Sequence, residues 1–329
     1  MARALHAKEA RIRRALASAE VDRPPYSFWT HFPGIDLDPA ALVRETVRFA
    51  TALDVDFVKA MPNGLYCVED WGAVADFSAI GAGGVARVAA SPIAGPADWR
   101  RIGPLPMTAP ALARELRHLA ALRAALPPGT PLLATVFSPL TIAHKLAGGV
   151  LHRHLREAPE AVLGALQRIA LTTADFARQA VEAGCAGIFL AVQDADPASP
   201  GDAAYARFGE PFDRTVLEAA AAGWFNVVHM HGARVLFDRL QHYPVAALNW
   251  HIGEADPSLA AYRAAGGTRP IVGGLRRGAL TRRDLAAVST DLAALTGPGI
   301  LIAPGCVIRH PVDMQFLATV ASLITGEAL

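Results

Sequence analysis

Residues 225–231 read FNVVHMH, and residues 246–251 read AALNWH. Each is a short apolar run that turns polar only at its last residues. Runs of this length without polar alternation suit strands buried on both faces, as in a parallel sheet covered by helices. Working outward, six more runs have the same character: Tyr26–Phe32, Val55–Met61, Leu132–Phe137, Ala186–Val192, Pro270–Leu275 and Ile300–Cys306. With Phe225–His231 and Ala246–His251 they make eight predicted strands.

Helical patterns fill the intervals. Pro39–Leu53 opens on an Asp38-Pro39 start, Ala109–Leu126 stops at Pro127-Pro128-Gly129, and Pro159–Ala183 stops at Gly184. A Pro in the first turn and a Gly just past the end are the usual helix punctuation. Phe212–Ala222, Ala233–His242, Pro257–Ala265, Thr281–Leu295 and Pro311–Ile324 complete the set. Eight β-then-α units predict an α/β protein whose residues 1–329 form one (β/α)8 TIM barrel domain. An open doubly wound sheet is disfavoured, because no G-x-G-x-x-G follows an early strand. Residues 62–107, rich in Gly, Ala and Pro, break the rhythm. They read as an insertion after the second strand, a short hairpin with loops near the barrel mouth, serving as a lid or simply as a long surface loop.

Composition narrows the function. The 329 residues are 52% hydrophobic and 19% charged, with 31 Lys+Arg against 30 Asp+Glu. That excludes a disordered chain and gives no global field to gather nucleic acid or anionic membrane. No apolar run approaches the ~20 residues needed to cross a bilayer. The N-terminus is charged and amphipathic, unlike a secretory signal. Three cysteines, Cys67, Cys185 and Cys306, form no disulfide framework. The expected location is the cytoplasm.

In a barrel of this kind, reactive side chains gather at the C-terminal ends of strands. His229 and His231 lie two apart and therefore face the same way. His251 ends the next strand and Cys306 the last. Three imidazoles and a thiol are normal Zn²⁺ ligands, so His229, His231, Cys306 and His251 are the predicted metal ligands, with His251 serving alternatively as a base. The plain alternative is that the histidines satisfy ordinary hydrogen bonds and Cys306 is a small buried hydrophobe. Gln193 and Asp194 follow the fourth strand and are expected beside the reacting groups, although Asp194 also suits a turn cap. Lys59, Asn63, Asn249 and Arg276 are the expected substrate-binding residues. His31 reads as structural. The LHRHLRE run at 151–157 reads as an exposed face without a role.

At these residues the chain resembles the uroporphyrinogen decarboxylase superfamily. The likeness is carried by LDVDFVKAMPN (53–63), FSPLTIAHKLAGG (137–149), EAGCAGIFLAVQDADPASPGDAAYARFGEPF (182–212), VVHMHG (227–232), VGGLRRGAL (272–280) and ILIAPGCVIRHPVDMQF (300–316). The family fold is a (β/α)8 barrel. Its decarboxylases act on uroporphyrinogen without a cofactor, using an arginine-rich N-terminal segment and an aspartate. Here that segment reads RPPYSFWTHFPGID, Lys59 and Met61 stand where an acidic residue is wanted, and Pro304-Gly305-Cys306 replaces a Gly-His-Gly. The other branch comprises zinc-dependent methyltransferases, including methylcobalamin:coenzyme M enzymes, with a His-x-Cys…Cys pattern. His229-x-His231 followed by Cys306, 75 positions on, is similar to it, with His231 in place of a cysteine. His251 falls near where cobalamin-independent methionine synthases add a glutamate.

The resemblance therefore implies a zinc-dependent methyltransferase moving a methyl group to a metal-activated thiol or similar acceptor. Its alternatives are a cofactor-free decarboxylase acting on a porphyrinogen or other carboxylated substrate, with Arg276, Arg277 and Arg309 as anchors, and a non-catalytic tetrapyrrole- or corrinoid-binding barrel. The expected cofactor is Zn²⁺, with no tightly bound organic group. The expected partners are a small-molecule substrate and a separate corrinoid protein carrying methylcobalamin. A homodimer is compatible with the sequence.

Overall fold

The computed structural model describes residues 7–82 and 85–326. Its strands, in chain order, are β1 (Val58–Lys59), β2 (Val74–Asp76), β3 (Arg87–Ala90), β4 (Leu132–Phe137), β5 (Gly187–Val192), β6 (Val227–Met230), β7 (Ala247–Trp250), β8 (Ile271–Leu275) and β9 (Ile300–Pro304). Seven of them form one curled parallel sheet in the order β1-β4-β5-β6-β7-β8-β9. Every residue of β4 and β5 is buried, as the unbroken apolar runs required. Helices separate successive strands and cover the convex face. The longest, Pro159–Glu182, turns Val162, Ala165, Leu166, Ile169 and Phe176 inward at three- and four-residue spacing. Burying each such Leu or Ile contributes about 1.5–3 kcal/mol. This helix ends where Gly184 adopts φ 100°, which an L side chain rarely adopts.

The concave face has its own apolar filling. Leu133, Phe189, Val227, Ala247, Val272 and Leu301, one from each of six neighbouring strands, pack with Trp29, Phe57 and Met61. Ile12 and Ala15, from the helix Ala7–Leu16, join the same cluster, and Arg13 stacks on Trp224 just before β6. That helix plugs the end where the strands begin. The end where they finish stays open.

The sequence predicts eight sheet strands; the described residues form seven. The one that differs is Tyr26–Phe32. Tyr26 pairs with Ile302 and Thr30 with Ile308 only as isolated parallel bridges. The segment is still held on both sides. Ser27 N–H donates to the Ile302 carbonyl at 3.0 Å, and Asp56 N–H donates to the Tyr26 carbonyl at 2.9 Å. Pro24 and Pro25 enter it without backbone donors, so a regular ladder cannot start there.

Within 62–107 lies the expected hairpin, β2 antiparallel to β3, with a bulge at Val74/Ala75. The region also holds short helical turns, and Ile80 and Val85–Val88 overhang the open end of the sheet. Two helices are shorter than predicted: only Phe237–Leu240 forms within 233–242, and Leu259–Ala264 within 257–265. The predicted Thr281–Leu295 helix is broken. Arg277–Arg282 ends on left-handed Arg283, and Leu285–Ala294 restarts after the Asp284 cap. The LHRHLRE run is exposed on one side only, at Arg153, Arg156 and Glu157, while Leu151, His154 and Leu155 are buried. His154 is fully buried on the same helix face as Leu151 and Leu155, and it accepts a hydrogen bond at Nδ1 from Trp99 Nε1 at 3.0 Å, which satisfies a polar atom on an otherwise apolar face. Among the described residues, no helix is long and apolar enough to cross a membrane.

Candidate metal centre

The register of β6 and β7 sets the site. His229 is paired with Asn249, and Met230 with Trp250. Side chains on a strand alternate, so residues two further on, His231 and His251, continue the same face past the strand ends. Their rings lie 5.0 Å apart at 89°, and those of His229 and His251 are stacked at 5.7 Å. Cys306 follows β9, with Sγ 3.6 Å from His231 Nδ1, while His229 Nε2 lies 3.4 Å from that same nitrogen. One ligand-type atom from each of His229, His231, His251 and Cys306 lies within 4.8 Å of every other. His229, His251 and Cys306 are buried and His231 half-buried. The turn into Cys306 is tight. A Cβ on Gly305 would approach the His251 Cα and the Trp250 carbonyl at 3.2 Å.

Each ring is oriented from behind. The Asn249 side-chain amide donates to the Val272 carbonyl, and its Oδ1 accepts from His229 Nδ1. The proton on His229 therefore sits at Nδ1, and Nε2 keeps a lone pair toward the cluster. Such backing partners fix tautomer and orientation at metal-ligating histidines. Phe189 stacks on the His229 ring at 5.3 Å. His251 turns Nδ1 toward Glu254, 3.8 Å from its carboxylate, and its Nε2 is buried without a hydrogen-bond partner. An orphaned buried nitrogen costs about 1–3 kcal/mol. A metal ion accepting its lone pair would remove that cost.

The electrostatics agree with a metal-binding donor set. Burial alone would raise the Cys306 thiol, but the three imidazoles, His229 foremost, outweigh it and hold the thiol well below the ordinary range. Burial lowers His229, which favours the neutral, ligating form. By contrast, burial pushes Cys67 and Cys185 up to about 12. Donors of two imidazole-plus-thiolate type with a fourth position fit Zn²⁺ well.

His229, His231 and Cys306 line one side of a cavity of about 730 Å³, beneath the hairpin. Gln193 and Asp194 line it, as the sequence expected, but Asp194 turns away from the quartet to pair with His144. Lys59 lines it from β1. It is buried, its Nζ 2.9 Å from Met61 Sδ and 4.8 Å above the Phe189 ring, and burial lowers it to about 7.

The other expected substrate contacts are not brought to the cavity wall. Asn63 is fully buried in its own loop, accepting from Leu65 N–H at 2.9 Å and donating to Glu69 at 3.0 Å. Asn249 backs His229 instead of facing the cavity. Arg276 is tied to Asp291, 2.7 Å from its carboxylate, and to the Ala287 carbonyl. Its neighbour Arg277 lines the cavity, as does Arg309. Sequence reasoning missed His144 and Lys145, which lie on the helix Pro139–Ala147 directly after β4 and also line it. Their position after a strand end was the available signal.

A parallel α/β sheet with a metal-capable quartet at its strand ends defines the class, and comparisons narrow it. The family model for uroporphyrinogen decarboxylase (URO-D) matches residues 7–324, so the chain belongs to that family. A solved methyltransferase from Methanosarcina mazei is 17% identical and superposes with a TM-score of 0.77, covering 97% of this chain and 98% of that one. A B12-independent methionine synthase from Shewanella sp. is 10% identical with a TM-score of 0.53, covering 93% and 92%. At these identities the likeness is one of fold. No curated protein matches significantly.

Proposed function

We propose that this protein is a zinc-dependent methyltransferase in which His229, His231 and Cys306 hold the metal and His251 is a fourth, displaceable ligand or a base. The observation that carries the reading is the quartet itself: four ligand-type atoms mutually within 4.8 Å, one of them the unpartnered Nε2 of His251. Zn²⁺ held there would lower the pKa of a bound thiol acceptor and so would supply a nucleophile near neutral pH. The chain's residues do the rest. Asn249 fixes the His229 tautomer, Phe189 walls off one side of that ring, and the hairpin covers the cavity. Gln193, Asp194 and Lys59 face the substrate. A methyl donor such as methylcobalamin on a separate corrinoid protein would approach the open end of the sheet. We take residues 1–329 as one domain, with the Tyr26–Phe32 segment, held by isolated bridges, serving as the eighth stave of the barrel and 62–107 as its insertion.

Metal analysis of purified protein and of Cys306→Ala, paired with a methyl-transfer assay using methylcobalamin and small thiols, tests this reading. Zinc bound by the wild type, with one equivalent lost in the variant, together with thiol-dependent demethylation, is the expected result. Negligible zinc, or zinc unchanged in the variant, overturns it.

One observation favours the decarboxylase alternative. The cavity carries Lys59, Arg87, Lys145, Arg277 and Arg309, while Asp194 is the lone acidic residue lining it among the described residues. Cations of this number suit a carboxylated substrate. Release of CO2 from uroporphyrinogen by chelator-treated protein would select that reading over methyl transfer.

A further inference from the structure

A second cluster with metal-ligand chemistry, two of whose three residues line the same cavity, is separate from the quartet. His144 sits in the last turn of the helix Pro139–Ala147. The chain then reverses through Gly148, whose φ of 59° and ψ of −148° suit only glycine, and Gly149. It re-enters a helix at Leu151, which brings His152 back against His144, their rings 5.3 Å apart at 73°. Asp194, immediately beyond β5, reaches across to bond His144 Nδ1. One nitrogen from each histidine and one carboxylate oxygen lie mutually within 4.8 Å.

We propose that His144, His152 and Asp194 form a second divalent-metal site, built from two imidazoles and a carboxylate. Two features set it apart from an ordinary His–Asp pair. His152 Nδ1 is buried with no hydrogen-bond partner, so a ligand-type nitrogen is left for an ion to take up. Also, His144 and Asp194 both line the cavity, so three protein ligands leave coordination positions open toward whatever binds there. Two nitrogen donors of three favour a first-row transition ion such as Zn²⁺, Co²⁺ or Ni²⁺ over Ca²⁺ or Mg²⁺, which take oxygen. The absence of sulfur distinguishes this site from the quartet, whose Cys306 supplies a thiolate. The proposal does not depend on the methyltransferase reading.

Cobalt titration of the full-length protein after chelator treatment separates the two sites. Cobalt bound through Cys306 shows a sulfur-to-metal charge-transfer absorption, and cobalt bound by nitrogen and oxygen alone shows only weak ligand-field bands. The wild type is expected to bind two equivalents. Cys306→Ala loses the charge-transfer band and keeps one equivalent. His152→Ala and, independently, Asp194→Asn keep the band and lose the other equivalent, with far-ultraviolet circular dichroism showing each variant folded. A sulfur-free equivalent that survives both His152→Ala and Asp194→Asn, or a Cys306→Ala variant that binds no cobalt, overturns the second site. If the quartet reading fails instead, the charge-transfer band is missing from the wild type while the sulfur-free equivalent remains.

Discussion

Asn249 stands directly across the β6–β7 register from His229 and accepts the hydrogen bond from its Nδ1. The same amide donates to the Val272 carbonyl, so its orientation is set by the neighbouring strand β8. Three strands thus cooperate to aim one nitrogen, His229 Nε2, at the other donors.

That arrangement predicts a loss on truncation. Asn249→Ala leaves His229 free to rotate and to change tautomer, and backing partners of this sort are worth about 10–100-fold in metal affinity. Competition with a chromophoric chelator should show zinc held that much more weakly. Asn249→Asp keeps the acceptor for His229 but loses the donor to the Val272 carbonyl, so it should recover only part of the affinity. Equal affinity in wild type and Asn249→Ala would remove this role.

The three cysteines should react very differently. Cys306 is held well below the ordinary thiol range by the imidazoles and lines the cavity, whereas burial raises Cys67 and Cys185 to about 12. In chelator-treated protein, a small alkylating agent should modify Cys306 alone and should keep doing so below pH ~8.5, the ordinary thiol pKa. Added zinc should protect it. Peptide mapping that finds the three thiols labelled in parallel would contradict the assignment.

Asp213 predicts a pH dependence of stability remote from the site. It is fully buried, accepts hydrogen bonds from Tyr205 and Tyr243, and burial raises it from 3.8 to about 6. Between those values the folded state holds a proton that the unfolded state has released. Stability therefore falls as pH rises from ~4 to ~6, by roughly 3 kcal/mol in total, and stays lowered above. Asp213→Asn should flatten that segment of the profile in urea titrations. An unchanged slope would assign it elsewhere.

Gly187 tests the packing that sets the strand register. It starts β5, and a Cβ there would meet the Phe225 carbonyl carbon and oxygen at 2.6 Å and Asn226 Oδ1 at 2.7 Å. These are backbone atoms and a fixed amide, since Asn226 Oδ1 accepts from Ile188 N–H. Gly187→Ala should cost ~1–3 kcal/mol or more, read as a drop in melting temperature. A variant as stable as wild type would show that the β5–β6 start can shift freely.

Much of this was legible in the chain. Unbroken apolar runs at 132–137, 187–192 and 300–304 became buried parallel strands because nothing polar had to be faced outward. The His229–His231 spacing gave a shared face by strand parity alone. Other features needed partners far along the chain. Asn63 and Arg276 have the right positions after strands, yet Glu69 and Asp291 claim them. His154 shares a helix face with Leu151 and Leu155, but only the fold brings Trp99 to satisfy its ring nitrogen.

The order of residues by itself determined the α/β alternation, the family, and which donors lie at strand ends, since periodicity and spacing are local properties. Only the tertiary structure decided that Tyr26–Phe32 bridges two strands without joining the sheet, that β6 and β7 align His229 with Asn249, and that β9 delivers Cys306 beside them. Register and curl depend on every inter-strand hydrogen bond at once, so they exist only in the assembled sheet.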